Sequence, residues 1–330
     1  MEEEVKNQGK IAKKNFSLGQ KLLWWLSAQG LKIFVLFILI FPKRFLPKLG
    51  DYLGALGCCV WATRRKTALE NIKMVFGSKL SEAETKSLTK ANFKHISRDM
   101  FEVLRCHISR NPQDFLETNI SIEGKEHLDS ALKKGKGVIA VSVHIGIFPL
   151  IAAKMPALGY PFWLVYKDPN NIYLINIFKQ WMHRLGMRMV PYKPRRVCVS
   201  ESLKVLRNNG IIFLLIDQNP SRRYGTNVEF FDYQVPTYSG PIVMAQRTGA
   251  AVVPMFIHRN ENNTSTINIM PEIPLKKSSD KEKDLIDNLR AINAVCEEWV
   301  GKYPEQWWWV HRRFRWAKQN TFLEAVGNNS

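Results

Sequence analysis

His144 directly follows the run Gly137-Val-Ile-Ala-Val-Ser-Val143, and Asp217 ends a second apolar run, Ile211-Ile-Phe-Leu-Leu-Ile216. Histidine titrates nearest neutral pH. A carboxylate that accepts one of its ring N–H groups fixes the tautomer and stabilises the imidazolium formed when the other nitrogen takes a proton. Such a pair can deprotonate a hydroxyl. Each residue also has a plainer role open to it: a hydrogen-bonded histidine at a strand end, and an aspartate capping the turn that Pro220 continues. Gly146 allows close backbone approach two residues after His144, and backbone N–H groups near it are the simplest donors for a developing oxyanion.

The elements that must position this pair read as a mostly parallel sheet. Short β-branched runs separated by amphipathic segments predict strands at Gly137–Val143, Phe162–Tyr166, Met187–Val190, Ile211–Ile216 and Ala251–His258, with Thr266–Ile269 as a further edge strand. In such a sheet His144 and Asp217 both stand at the C-terminal edge, where open α/β sheets bind ligands. A helical lead-in is expected from Arg64 to about Pro112, because Ser81-Glu-Ala-Glu84 has capping-box spacing and no Gly or Pro interrupts the stretch to Arg105. The chain of 330 residues shows no internal repeat or long linker. The expectation is therefore one α/β domain over residues 50–330, preceded by a basic segment and attachment helix over 1–49.

That attachment helix is read from Leu22 to Phe41, a stretch long enough to cross a bilayer but interrupted by Gln29, Gly30 and Lys32, so a tilted or interfacial helix serves equally. Basic residues flank both ends. Over the chain, 48 Lys and Arg outnumber 29 Asp and Glu, giving a net charge of +19. That charge favours anionic partners: an anionic membrane surface, an acidic carrier protein or nucleic acid. With no finger spacing and no RNA-binding signature, nucleic acid is not expected. The five cysteines show neither CxxC spacing nor an even count, which points to a reducing compartment and to no metal.

Gly137 to Leu150, together with Asp217-Gln-Asn-Pro220, Gly225, Val228-Glu-Phe-Phe231, Thr237, Gly240, Gly249-Ala-Ala-Val-Val-Pro254 and Arg259, resembles the lipid A biosynthesis (lauroyl/myristoyl) acyltransferase family of bacteria. The Asn71 region, Ile122-Glu-Gly-Lys-Glu-His127, Pro304-Glu-Gln-Trp-Trp-Trp309 and His311-Arg-Arg313 are similar to it as well. The resemblance spans residues 20 to 317. It implies a glycerolipid-acyltransferase-like fold at the bacterial inner membrane, with the active site facing the cytoplasm. It further implies an acyl donor on acyl carrier protein or coenzyme A, no bound cofactor, and a lipid or glycolipid acceptor.

On that resemblance His144 is the general base. Arg223, Arg259 and Arg184 are candidates to grip an acceptor phosphate, and Asn170 with Asn171 matches an Asn-bearing loop that contacts the acceptor. The chain departs from the family at one place. The family carries Glu or Asp five positions after the histidine, where this chain has Pro149. Either another carboxylate, Asp217, takes over, or the chain is a non-catalytic member that binds lipid or acts as a scaffold. Trp307, Trp308 and Trp309 with Arg312, Arg313 and Arg315 suit a membrane interface or, alternatively, a core helix with a basic face.

Overall fold

The computed structural model describes residues 16–220 and 225–319. Helix α1 (Leu18–Ile40) starts at Ser17, whose hydroxyl accepts the Gln20 N–H. It is long and apolar enough to cross a bilayer, and most of its apolar surface is exposed. Its inner face buries Ala28 and Ile38. A groove of about 570 Å³ separates α1 from the segment Ile172–Gln180, with Trp25, Lys32, Tyr173 and Gln180 among its walls.

Helix α2 (Leu46–Val60) runs through the 49/50 boundary expected from sequence, so that boundary falls inside a continuous helix. It packs closely on the long helix α4 (Glu82–Ile108) because Gly54 lacks a side chain. A Cβ there would come within 2.6 Å of the Lys94 backbone. Helix α3 (Ala62–Phe76) lies between them in sequence, and α4 opens on the expected capping box, with Ser81 N–H donating to the Glu84 carboxylate at 2.8 Å.

The body is a seven-stranded sheet ordered β1-β9-β8-β2-β5-β3-β4, made of β1 (Ile120–Glu123), β2 (Val138–Ser142), β3 (Phe162–Tyr166), β4 (Arg188–Pro191), β5 (Ile211–Leu215), β8 (Ala251–Arg259) and β9 (Ser265–Ile269). The five strands from β8 to β4 are parallel. The Thr266–Ile269 strand is not the edge: β1 pairs parallel to β9 outside it, and β9 itself runs antiparallel to β8. Every β2 residue is buried, as expected for a strand covered on both faces. Helices α5 (Pro112–Asn119), α6 (Lys125–Lys133), α7 (Ile151–Ala157), α8 (Ile172–Arg184), α9 (Arg195–Arg207), α10 (Gly240–Thr248) and α11 (Lys281–Lys302) flank the sheet.

A second sheet was not expected. The hairpin β6 (Gly225–Phe230) and β7 (Tyr233–Tyr238) turns through Phe231 and Asp232, both at positive φ, and β10 (Lys318–Gln319) pairs with β7. A two-residue turn of this kind is usually signalled by Asn-Gly or Asp-Gly, so Phe-Asp conceals it.

Within the tryptophan-rich segment after α11, Trp307 and Trp309 belong to the core, while Trp308 is half-buried and Arg312 and Arg315 are exposed. Trp307 and Trp309 are 1% and 0% exposed, and the segment is irregular rather than helical. The lead-in helices clasp it. Asn71 donates to the carbonyls of Trp309 and His311, both at 2.7 Å, and Asn92 donates to those of Glu305 and Trp307. Buried asparagines satisfy the carbonyls of a segment that has no ladder of its own, and so fix its path.

Candidate active site

The β2–β5 register places Ser142 opposite Leu215, so His144 and Asp217 each stand two residues beyond a paired position at the C-terminal edge. His144 Nδ1 and Asp217 Oδ1 are 2.6 Å apart. Asp217 Oδ2 accepts the His144 backbone N–H at 2.9 Å and the Trp307 indole N–H at 2.8 Å. A carboxylate surrounded by N–H groups requires Nδ1 to carry its proton, which leaves the Nε2 lone pair outward. Burial alone would raise the Asp217 carboxyl, but its electrostatic attraction to the His144 ring and the hydrogen bonds His144 donates outweigh burial and hold the group well below the ordinary carboxylate range.

Phe148, Trp308 and His311 surround the imidazole, with ring centroids 4.7, 5.7 and 4.9 Å away. The Gln218 amide nitrogen stands 3.1 Å from His144 Nε2 and 3.4 Å from His311 Nε2. Burial, reinforced by the neighbouring His144, pushes His311 down to about 4, so the ring is neutral near pH 7 and one of its two nitrogens accepts. Gln218 and His311 escaped the sequence reading except as parts of longer motifs. Neither a glutamine after an aspartate nor a histidine 167 residues beyond another signals proximity.

The other candidates fare differently. Gly146 adopts a positive φ of 54°, and a Cβ would sit 2.4 Å from the Ile257 carbonyl, so only glycine fits there. Its N–H, expected to face an oxyanion, instead donates to the Gln306 carbonyl at 3.1 Å. Arg259 does not face a phosphate: it is buried and donates to Asp99 at 2.7 Å, with both side chains 3% exposed or less. Gln306 brackets the same residue, accepting the Arg259 N–H and donating to its carbonyl. Arg184 caps the end of α4 through the carbonyls of His107 and Ser109. Asn170 is exposed in the loop after β3, while Asn171 caps α8 and donates to Trp24 O and Ser27 Oγ, tying α1 to the sheet edge. Arg223 lies outside the described residues. All five cysteines are free.

The buried Asp99–Arg259 pair yields a stability prediction. Removing one partner leaves an uncompensated buried charge, which costs about 3–5 kcal/mol. Arg259→Met should therefore lower the melting temperature by roughly 10 °C, and Asp99→Asn in the same chain should return part of it. An unchanged melting temperature would contradict the pairing.

A second prediction concerns pH. Burial pushes His95, His107 and His311 each down to about 4. A histidine whose folded value is depressed contributes stability that is complete above its unfolded value of about 6.5, and that is lost as pH falls toward the folded one. The melting temperature should thus drop steadily between pH 6.5 and 4. A flat profile across that window would remove the assignment of three neutral histidines.

Comparison with known proteins sets the chain among the acyltransferases. Residues 10–316 match the family model for bacterial lipid A biosynthesis acyltransferases, and the chain belongs to that family. It is 23% identical over 295 residues to the lipid A biosynthesis palmitoleoyltransferase of Escherichia coli (strain K12), covering 88% of this chain and 92% of that one. It is 25% identical over 300 residues to a lipid A biosynthesis acyltransferase of Haemophilus influenzae, covering 89% of each. A phosphatidylinositol mannoside acyltransferase of Mycobacterium tuberculosis is 28% identical over 137 residues, covering 40% of this chain and 42% of that one. Among solved structures, the 1-acyl-sn-glycerophosphate acyltransferase of Thermotoga maritima aligns at a TM-score of 0.38 and 14% identity, covering 79% of this chain and 99% of that one.

Proposed function

We propose that this acyltransferase moves a fatty acyl group from a thioester, carried by acyl carrier protein or coenzyme A, to a hydroxyl of a lipid or glycolipid acceptor resembling a lipid A precursor. The observation that carries the reading is the 2.6 Å contact between His144 Nδ1 and Asp217 Oδ1, which leaves Nε2 as the basic atom. The acceptor oxygen attacks the thioester carbonyl as Nε2 takes its proton. Collapse of the tetrahedral intermediate expels the thiolate, which recovers that proton from the imidazolium, giving an ester and a thiol. Asp217 supplies the carboxylate that Pro149 does not. A His144–Asp217 pair of this kind has no use in a non-catalytic lipid-binding or scaffold protein, the alternative that Pro149 invites.

Attachment to the bacterial inner membrane, with the site facing the cytoplasm where carrier thioesters are held, follows from the same reading. The exposed apolar faces of α1 support it, and the net charge of +19 suits an anionic bilayer surface. Alkaline extraction of membranes should leave the intact chain in the pellet, because apolar burial is not screened as surface charge is. Full release would rule out an inserted helix. The function itself is tested by incubating the full-length protein with lauroyl-CoA or lauroyl-acyl carrier protein and a lipid A precursor. A mass increase of one acyl group on the precursor is expected from at least one donor, and none from either donor would overturn the reading.

A further inference from the structure

Three main-chain donors of the His144 turn are already engaged. The backbone N–H groups of His144, Ile145 and Gly146 donate to Asp217, to the Val143 carbonyl and to the Gln306 carbonyl. Among the described residues, two further side-chain donors stand beside the imidazole. The Trp308 indole N–H is buried without a hydrogen-bond partner among the described residues, while its ring lies against the rings of His144, Phe148 and His311. An unpartnered buried donor is uncommon and costs stability unless something else calls for it. The Gln218 amide presents one N–H to His144 Nε2 and the other to His311 Nε2, and the residue is exposed enough to move.

We propose that the oxyanion formed during acyl transfer is held by the Trp308 indole N–H and the Gln218 carboxamide N–H, with His311 positioning that carboxamide. The inference rests on the reading of His144 as general base. In the resting site Gln218 caps Nε2. An arriving acceptor hydroxyl takes that place, and the amide turns about its bond to His311, freeing one N–H toward the carbonyl oxygen. As the acceptor oxygen bonds to the carbonyl carbon, the π electrons of the C=O move onto its oxygen, and the two donors meet the new charge. When the C–S bond breaks they release it again. His311 can hold the amide only in the neutral tautomer whose Nε2 is the acceptor. Trp308 is itself fixed by its backbone N–H, which donates to the His144 carbonyl at 2.9 Å, so donor and base share one frame.

The test uses the full-length protein in detergent micelles with a lipid A precursor and lauroyl-CoA, against the same donor carrying a dithioester. Sulfur is the poorer hydrogen-bond acceptor, so an intact oxyanion site prefers the oxygen donor. Trp308→Phe keeps a ring but removes the N–H, and Gln218→Met keeps the length but removes the amide. Each should lower kcat by about 10²-fold with KM little changed, and should shrink the preference for thioester over dithioester in the same proportion. His311→Phe should cause a smaller loss with the same shrinkage. Turnover within about threefold of wild type in both donor variants, or a loss that leaves the thioester preference intact, would overturn the proposal. If a variant is less stable, the preference measured on its residual turnover still decides. Full activity in His144→Ala would instead sink the reading of the base, a result distinguishable from intact Trp308→Phe and Gln218→Met beside an inactive His144→Ala.

Discussion

Asp217→Asn is expected to cut turnover by about 10² to 10⁴-fold, up to but not beyond the loss of His144 itself, because a catalytic histidine is disabled when its orienting aspartate becomes an amide. Three N–H groups converge on this carboxylate: His144 Nδ1–H, the His144 backbone N–H and the Trp307 indole N–H. An asparagine has one acceptor oxygen. If that oxygen keeps the backbone and indole donors, the amide NH₂ faces Nδ1, which must then accept, and the ring proton moves to Nε2. The lone pair that would take the acceptor's proton is gone. Nε2–H would also confront the Gln218 amide nitrogen, 3.1 Å away, donor against donor. The variant should remain folded, because the side-chain volume is unchanged, and circular dichroism is the control. Retention of more than a tenth of wild-type turnover would show that Asp217 does not set the tautomer. Pro149→Glu is the companion measurement. With Asp217 already on Nδ1, a carboxylate at 149 has no ring nitrogen left to orient, so turnover should not exceed wild type. A gain would mark Pro149 as the defect of a degenerate enzyme.

Much of this site was legible in the sequence, for a physical reason. A strand in a parallel sheet is buried on both faces, so it appears as a mainly apolar run, and the first ionisable residue after it lies at the sheet's edge. His144 and Asp217 are both such residues. The strand candidates around them stand within a residue or so of β2, β3, β4, β5 and β8. The capping box at Ser81 was equally local, and it formed as its spacing requires.

What sequence could not carry was long-range. The fate of Arg259 depended on Asp99, 160 residues away, and that of Arg184 on the open end of α4. An arginine beyond a strand or helix offers the same five donors whether it meets a phosphate or a buried carboxylate. The Gly146 N–H was read as free because no local pattern signals that the Gln306 carbonyl will reach it. The tryptophans divide in a way that composition cannot show. Trp307 turns inward to Asp217, Trp309 donates to the Pro304 carbonyl, and Trp308 between them packs on His144. The alternation follows from the extended, strand-like path at Trp307, where Ile145 pairs with it as an isolated bridge.

His144→Ala should lower turnover by about 10² to 10⁴-fold, the usual contribution of a positioned general base, with KM for both substrates little altered. The loss must come without unfolding. Asp217 keeps two of its donors in that variant, the residue 144 backbone N–H and the Trp307 indole, so the buried charge is not stranded. The more demanding expectation is for the pair. Residues that act as a unit are not additive: once the imidazole is gone, its orienting carboxylate has nothing left to orient. His144→Ala with Asp217→Asn should therefore turn over at about the rate of His144→Ala alone, although Asp217→Asn by itself is costly. If the two losses multiply instead, Asp217 acts on the reaction by some route other than His144, and the 2.6 Å contact between them is structural rather than catalytic. If His144→Ala keeps wild-type turnover, the basic atom lies elsewhere and the proposed mechanism falls with it.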